Sequence, residues 1–134
     1  IVRISWVFGG HGNNFVKTML KLGKERKKIN VVADQYGSPT YTSDLASLLI
    51  EMIKTDKYGI YHATNEGVCT WAEFAEEIFK IAKMDVNVNY IKANQYPTRA
   101  KRPMNSRLSK KQLIISNFRI LENWKNALEK YINV

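Results

Sequence analysis

The chain of 134 residues has one cysteine, Cys69, so no disulfide framework can hold it. A reducing compartment, the cytoplasm, is therefore the expected location. Cys69 stands just before a helix start, where a thiolate can be activated. No His–Cys motif accompanies it, so it reads as a small buried side chain. Histidine is equally scarce. His11 and His62 have no partner at metal-ligand spacing, and His62 reads as a strand residue of the core or close behind a site. Long apolar runs are missing too. The longest, Leu45 to Ile53, is broken by Ser47 and Glu51 and is far too short to cross a bilayer. No signal peptide, internal repeat or low-complexity segment is present. Neither a Gly-x-Ser-x-Gly elbow nor a Walker loop occurs, and Glu76 and Glu77 read as solvated on the outer face of a helix.

Acidic residues are outnumbered, 12 against 21 Lys and Arg, which leaves a net charge of +9. Nucleic acid, a membrane surface or an anionic small molecule would each suit that balance. Clustering chooses between them. Lys24, Arg26, Lys27 and Lys28 form one run, which reads as a solvated helix end. Arg99, Lys101, Arg102, Arg107, Lys110 and Lys111 form another, with Pro103 and Asn105 inside it. Neither run carries the interleaved aromatics of a single-strand binder. The second therefore reads as a grip for the phosphates of a small molecule, with neither nucleic acid nor membrane as partner.

With 45% hydrophobic and 25% charged residues, the chain can build a core, and its length suits one domain over residues 1–134. Ile1 to Phe8 reads as a buried central parallel strand. A chain that opens within a strand is expected to be part of a longer polypeptide. Asn13 or Asn14 then caps a helix bearing Phe15, Met19 and Leu22 on one face. Ile29 to Ala33 is a second strand, followed by a turn-rich loop from Gln35 to Thr40. Thr42 or Ser43 is expected to cap a helix burying Leu45, Leu48, Leu49, Met52 and Ile53. Gly59 to Thr64 is a third strand. Thr70-Trp71-Ala72-Glu73 is a capping box opening a helix that buries Trp71, Phe74, Ala75, Ile78, Phe79 and Ala82. Val86 to Ile91 is a fourth strand. Lys92 to Arg107 has no periodicity, Ser109 opens a short helix, and a last helix turns Leu121, Trp124, Leu128 and Tyr131 inward. Alternating strands and helices specify an α/β fold.

Strand, glycine turn, helix, strand and acid is also the order of a dinucleotide-binding unit. Gly10-His11-Gly12 and Asp34 fit it, but Phe15 occupies the third small position, where helix and strand must pack closely. Reductase chemistry of the short-chain type needs a Tyr with a Lys one helical turn later. The residues four beyond Tyr36, Tyr41, Tyr58, Tyr61, Tyr90 and Tyr96 are Thr40, Leu45, His62, Asn65, Asn94 and Ala100, and Tyr131 runs off the end. The catalytic pair is absent from this chain.

Several stretches together are more specific. They are Ser5-Trp6-Val7-Phe8-Gly9, Gly12-Asn13-Asn14-Phe15-Val16-Lys17-Thr18-Met19 and Asp34-Gln35-Tyr36-Gly37-Ser38-Pro39-Thr40. Gly59-Ile60-Tyr61-His62, Thr70-Trp71-Ala72-Glu73-Phe74-Ala75 and Arg102-Pro103-Met104-Asn105-Ser106-Arg107-Leu108 follow. In this order they resemble the C-terminal half of the dTDP-4-dehydrorhamnose reductase family, extended short-chain dehydrogenases with an NAD(P)-binding Rossmann-type fold. The resemblance implies short, mostly parallel strands alternating with helices. It implies reduction of dTDP-6-deoxy-L-lyxo-4-hexulose to dTDP-L-rhamnose with NADPH or NADH. The glycine loop, Tyr and Lys would lie in an N-terminal Rossmann half that this chain lacks, so the chain alone is expected to be inactive. A homodimer and Mg²⁺ are also compatible with the family, although no metal-ligand cluster is evident.

The resemblance implies a dTDP-sugar site here. Trp6 offers a flat apolar wall and one N–H to a hexose. Asn13 and Asn14 begin a helix whose amides suit a diphosphate. Gln35 and Pro39 belong to a nucleobase or sugar wall, Arg102 matches phosphate oxygens bidentately, and Asn105 can bond the deoxyribose or phosphate. The same residues admit two other members of the superfamily. One is another nucleotide-sugar epimerase or dehydratase; the other is a non-catalytic regulatory homologue of methionine adenosyltransferase.

Overall fold

Parallel pairing between strands far apart in sequence organises the chain. The computed structural model describes residues 1–134. Its strands are β1 (Val2–Arg3), β2 (Val7–Phe8), β3 (Lys28–Val32), β4 (Tyr36–Gly37), β5 (Thr40–Tyr41), β6 (Tyr61–His62), β7 (Cys69–Thr70) and β8 (Asn87–Ile91). Its α-helices are α1 (Phe15–Glu25), α2 (Thr42–Met52), α3 (Trp71–Ile81), α4 (Lys111–Ile115) and α5 (Trp124–Ile132). β1–β6, β2–β5 and β3–β8 are parallel pairs, and β4–β7 is antiparallel. The expected α/β class with short, mostly parallel strands is what forms, and its strands associate in separate pairs.

The N-terminal run differs from expectation. Ile1 to Phe8 is two strands, β1 and β2, with different partners, because Trp6 adopts a left-handed backbone at φ 48°. Around the break, side chains replace the ladder. Ser5 Oγ donates to the Ser38 carbonyl at 3.2 Å, and Thr40 Oγ1 donates to the Ser5 carbonyl at 2.6 Å. Gly59 to Thr64 likewise contributes only β6, and the loop from Gln35 to Thr40 contains β4 and the start of β5.

The helices follow their periodicity more closely. Asn14 caps α1 by accepting from the Lys17 amide at 3.0 Å, and the Thr70–Glu73 capping box opens α3 as expected. Through that face α3 buries Phe74, Ala75, Ile78 and Phe79. With α1, α5, β2 and β3 these residues form the larger core. A smaller core gathers Leu45, Leu48, Tyr61, Ala63, Leu113, Phe118 and Leu121. The cap expected for α2 is not used: Tyr41 occupies the N-cap without a side-chain bond, and Thr42 and Ser43 lie inside the helix. Leu49, Ile50 and Ile53 remain exposed on α2, so only Leu45 and Leu48 of its apolar face are buried.

Between the cores lies a buried polar side chain, Asn65, with no exposed surface. Its Oδ1 accepts from the Tyr41 amide at 2.8 Å. Its Nδ2 donates to Asp44 Oδ2 at 2.8 Å and to the Glu122 carbonyl at 3.0 Å. Tertiary bonds thus do at α2 what a local cap does elsewhere, since Asp44 also places negative charge in the first helical turn. Replacing Asn65 with Ala strands three groups inside the protein, so Asn65→Ala should lose about 3 kcal/mol of stability. Urea denaturation checks this against Asn94→Ala, an exposed control expected to change stability by less than about 0.5 kcal/mol.

Candidate functional site

Trp6 is held in a conformation that a bulky residue adopts only under constraint, at a cost of about 1–3 kcal/mol. The constraint is visible. Its carbonyl accepts from the Thr40 amide at 3.0 Å. Its indole stacks on that of Trp71, with ring centroids 3.7 Å apart and planes 16° from parallel. Gly37 packs over the nitrogen-bearing side of the ring, where an added Cβ would come within 2.7 Å of Cε2, 2.8 Å of Cζ2 and 3.0 Å of Nε1. The indole is half-buried, and its N–H has no acceptor within the chain.

Behind this pair stands Phe15, 4.8 Å from the Trp71 ring, which ties the start of α1 to the same corner. Asn14 is fully engaged there, since Nδ2 donates to the Gly9 carbonyl at 2.9 Å while Oδ1 caps the helix. Asn13 is exposed beside it. Sequence reasoning missed Lys17, whose Nζ donates to the carbonyls of Gly10 and Gly12 at 2.7 and 2.8 Å. Asn14 and Lys17 thus close the glycine turn on itself.

β4 brings in the rest. Tyr36 pairs with Thr70, the residue before Trp71, and forms a parallel bridge to Asn105. The Tyr36 amide donates to the Met104 carbonyl at 2.9 Å, and the Ser106 amide donates to the Tyr36 carbonyl at 2.7 Å. Gln35 is half-buried next to this bridge, with no side-chain bond. Pro39 is fully buried and offers no face to a ligand. Asn105 is exposed, but its Oδ1 accepts from the Arg107 amide and from Arg107 Nε at 3.0 and 2.9 Å. Arg102 lies three residues upstream, exposed and without an ion pair. Within the second basic run only Lys110 has an acidic partner, Glu66 at 3.6 Å, and it also donates to Thr64 Oγ1 at 2.9 Å. The cations nearest the aromatic corner are therefore free to meet an anion.

Other candidates fall outside this surface. Asp34 does not serve a dinucleotide, because its Oδ1 accepts from the Ala93 amide at 2.8 Å. Its strand, β3, pairs with β8 and not with the strand before the glycine turn. The residues present do not fit a nicotinamide cofactor. No three His, Cys, Asp or Glu side chains converge as metal ligands. His62 is half-buried in a hollow of about 350 Å³ with Ser109, Lys111 and Gln112. Glu76 accepts from the Tyr90 hydroxyl at 2.7 Å, which pushes that phenol up to about 12. Glu77 is less solvated than expected, lying 3.8 Å from Lys125. Burial pushes the Cys69 thiol up, and the Glu73 charge adds to this, so the side chain stays a neutral thiol. No helix is long and apolar enough to cross a membrane.

The family model described as RmlD substrate binding domain matches residues 1–134. The spore coat polysaccharide biosynthesis protein SpsK of Bacillus subtilis (strain 168) is 39% identical over 132 residues, covering 98% of this chain and 46% of that protein. The dTDP-4-dehydrorhamnose reductase of Aggregatibacter actinomycetemcomitans is 50% identical over 118 residues, covering 79% of this chain and 40% of that protein. The crystal structure of dTDP-4-dehydrorhamnose reductase from Bacillus anthracis str. Ames in complex with NADP is similar at a TM-score of 0.94. It is 45% identical, over 98% of this chain and 46% of that one. The chain thus spans about half the length of the relatives it matches.

Since Gly37 leaves no room for a β-carbon against Trp6, Gly37→Ala should cost about 1–3 kcal/mol and displace the indole. Near-ultraviolet circular dichroism of the tryptophans should change while far-ultraviolet helix content stays constant.

Proposed function

The chain belongs to the RmlD substrate binding domain family, and we propose that it forms the dTDP-sugar-binding half of a dTDP-4-dehydrorhamnose reductase. The parent enzyme would reduce the C4 carbonyl of dTDP-6-deoxy-L-lyxo-4-hexulose to give dTDP-L-rhamnose. Family membership over the whole chain, together with reductases among its relatives, supports the substrate class. The observation that carries the reading is the corner where Trp6, the start of α1, β4 and the Arg102–Arg107 segment meet.

Each group has a physical task there. The Trp6 indole receives the apolar face of the hexose, and its free N–H bonds a sugar oxygen. Asn13 and the first turn of α1 lie toward the diphosphate, where the helix dipole favours negative charge. Arg102 grips phosphate oxygens through its planar fork. Gln35 reads the base and Asn105 bonds the deoxyribose. These residues bind and orient the sugar nucleotide, and none donates the proton or the hydride.

Hydride from NADPH or NADH, and the Tyr–Lys acid–base pair, belong to an N-terminal Rossmann half. The Bacillus anthracis relative binds NADP and is about twice this chain's length, which supports that division. On this reading residues 1–134 act as one substrate domain of a cytoplasmic enzyme. A homodimer and Mg²⁺ would be properties of the whole enzyme.

A site walled on one side only should bind weakly. Calorimetric titration with dTDP should give a Kd on the order of 1 mM. Arg102→Ala should weaken binding about tenfold or more, through loss of charge-assisted bonds. Tight binding indifferent to Arg102, or NADPH oxidation with the keto-sugar by this chain alone, would overturn the reading.

A further inference from the structure

Stacking on a hexose requires the receiving ring to be fixed before the sugar arrives, because ordering it afterwards costs affinity. The backbone alone does not fix Trp6. Its left-handed φ takes it out of the strand alternation that would otherwise set its direction. Two contacts do so instead: Gly37 packs over the nitrogen-bearing side of the ring and Trp71 stacks on it. Of these only Trp71 is a side chain, and it is itself well held. It is the first residue of α3, directly after the N-cap Thr70 and inside the Thr70–Glu73 capping box. Phe15 packs at 4.8 Å and Phe74, 1% exposed, at 6.3 Å. A continuous set of ring contacts therefore runs from the core through Trp71 to Trp6.

We infer that Trp71 is a positioning residue for the sugar, acting through the Trp6 indole that it holds flat against Gly37. This rests on the reading of Trp6 as the hexose wall. Trp71 supports recognition of the sugar ring specifically and leaves the grip on the nucleotide diphosphate unchanged, because β4 holds the Arg102–Arg107 segment and the Asn14 bonds to Gly9 and Lys17 hold the start of α1 when the Trp71 ring is removed. A purely structural role would instead lower affinity for nucleotide and sugar nucleotide alike.

The test compares the wild-type chain with Trp71→Ala, Trp71→Phe and Trp6→Ala. Affinities for dTDP and dTDP-L-rhamnose are measured by calorimetry, and circular dichroism follows the exciton couplet of stacked indoles. The wild type should show the couplet and bind dTDP-L-rhamnose about tenfold more tightly than dTDP, as aromatic stacking allows. Trp71→Ala should abolish both the couplet and the preference for the sugar, with dTDP affinity unchanged. Trp71→Phe should lose the couplet yet keep much of the preference, since a flat ring still backs Trp6. If Trp71→Ala does not fold, Trp71→Leu replaces it, keeping apolar volume without a flat face. A sugar preference that survives Trp71→Ala or Trp71→Leu overturns the positioning role, as does an equal loss for both ligands. A wild-type chain that does not distinguish the two ligands, or a preference unaffected by Trp6→Ala, overturns the hexose-wall reading itself.

Discussion

Asn65 has no exposed surface, so every hydrogen bond its amide can make must come from inside the protein. Three separate parts of the chain meet at this side chain. Its oxygen fixes the Tyr41 amide at the start of α2. Its nitrogen joins Asp44 in the first turn of α2 to the Glu122 carbonyl, near the start of α5. Its own amide donates to the Pro39 carbonyl at 3.2 Å. Ser38 extends the network by donating to the Gly67 carbonyl at 2.5 Å, and Thr40 extends it to Ser5 at 2.6 Å. The segment from Ser38 to Tyr41 is thereby clamped between β2 and the loop after β6. Buried polar groups of this kind tolerate little rearrangement, because any displaced donor or acceptor goes unpaired.

That clamp explains why an unfavourable Trp6 conformation persists. The Thr40 amide holds the Trp6 carbonyl, so the backbone strain is offset by bonds several residues away. The ring then meets Gly37 and Trp71, which are placed by the antiparallel β4–β7 pair and the capping box that follows it. The same β4 strand receives the Arg102–Arg107 segment on its other side. One short strand thus joins the aromatic pair on one side and the Arg102–Arg107 segment on the other.

Hollows of about 350 and 380 Å³ lie beside His62 and beside Glu73 and Trp124. A surface with one wall suits a domain whose relatives are about twice as long. The proposed division of labour accords with the sequence, in which no Tyr is followed four residues later by Lys.

Short-range chemistry made much of this legible in the sequence. The Thr70–Glu73 box, the Asn14 cap, the α3 apolar face and the β3 and β8 runs all depend on residues a few positions apart. The ordered series of family motifs also carried the likeness to the reductases, which the whole-chain match bears out. Contacts between distant residues were settled only by the tertiary structure. Asn65 and Tyr41 are 24 residues apart, Tyr131 and the Gly9 carbonyl 122 apart, and Trp6 meets Trp71 across most of the larger core. No local pattern encodes such pairs, so the break in Ile1–Phe8, the α2 cap and the role of Trp71 stayed hidden. Sequence determined which segments coil or extend and which family they serve. The fold decided which side chains face one another, because burial makes a distant partner matter more than a near one.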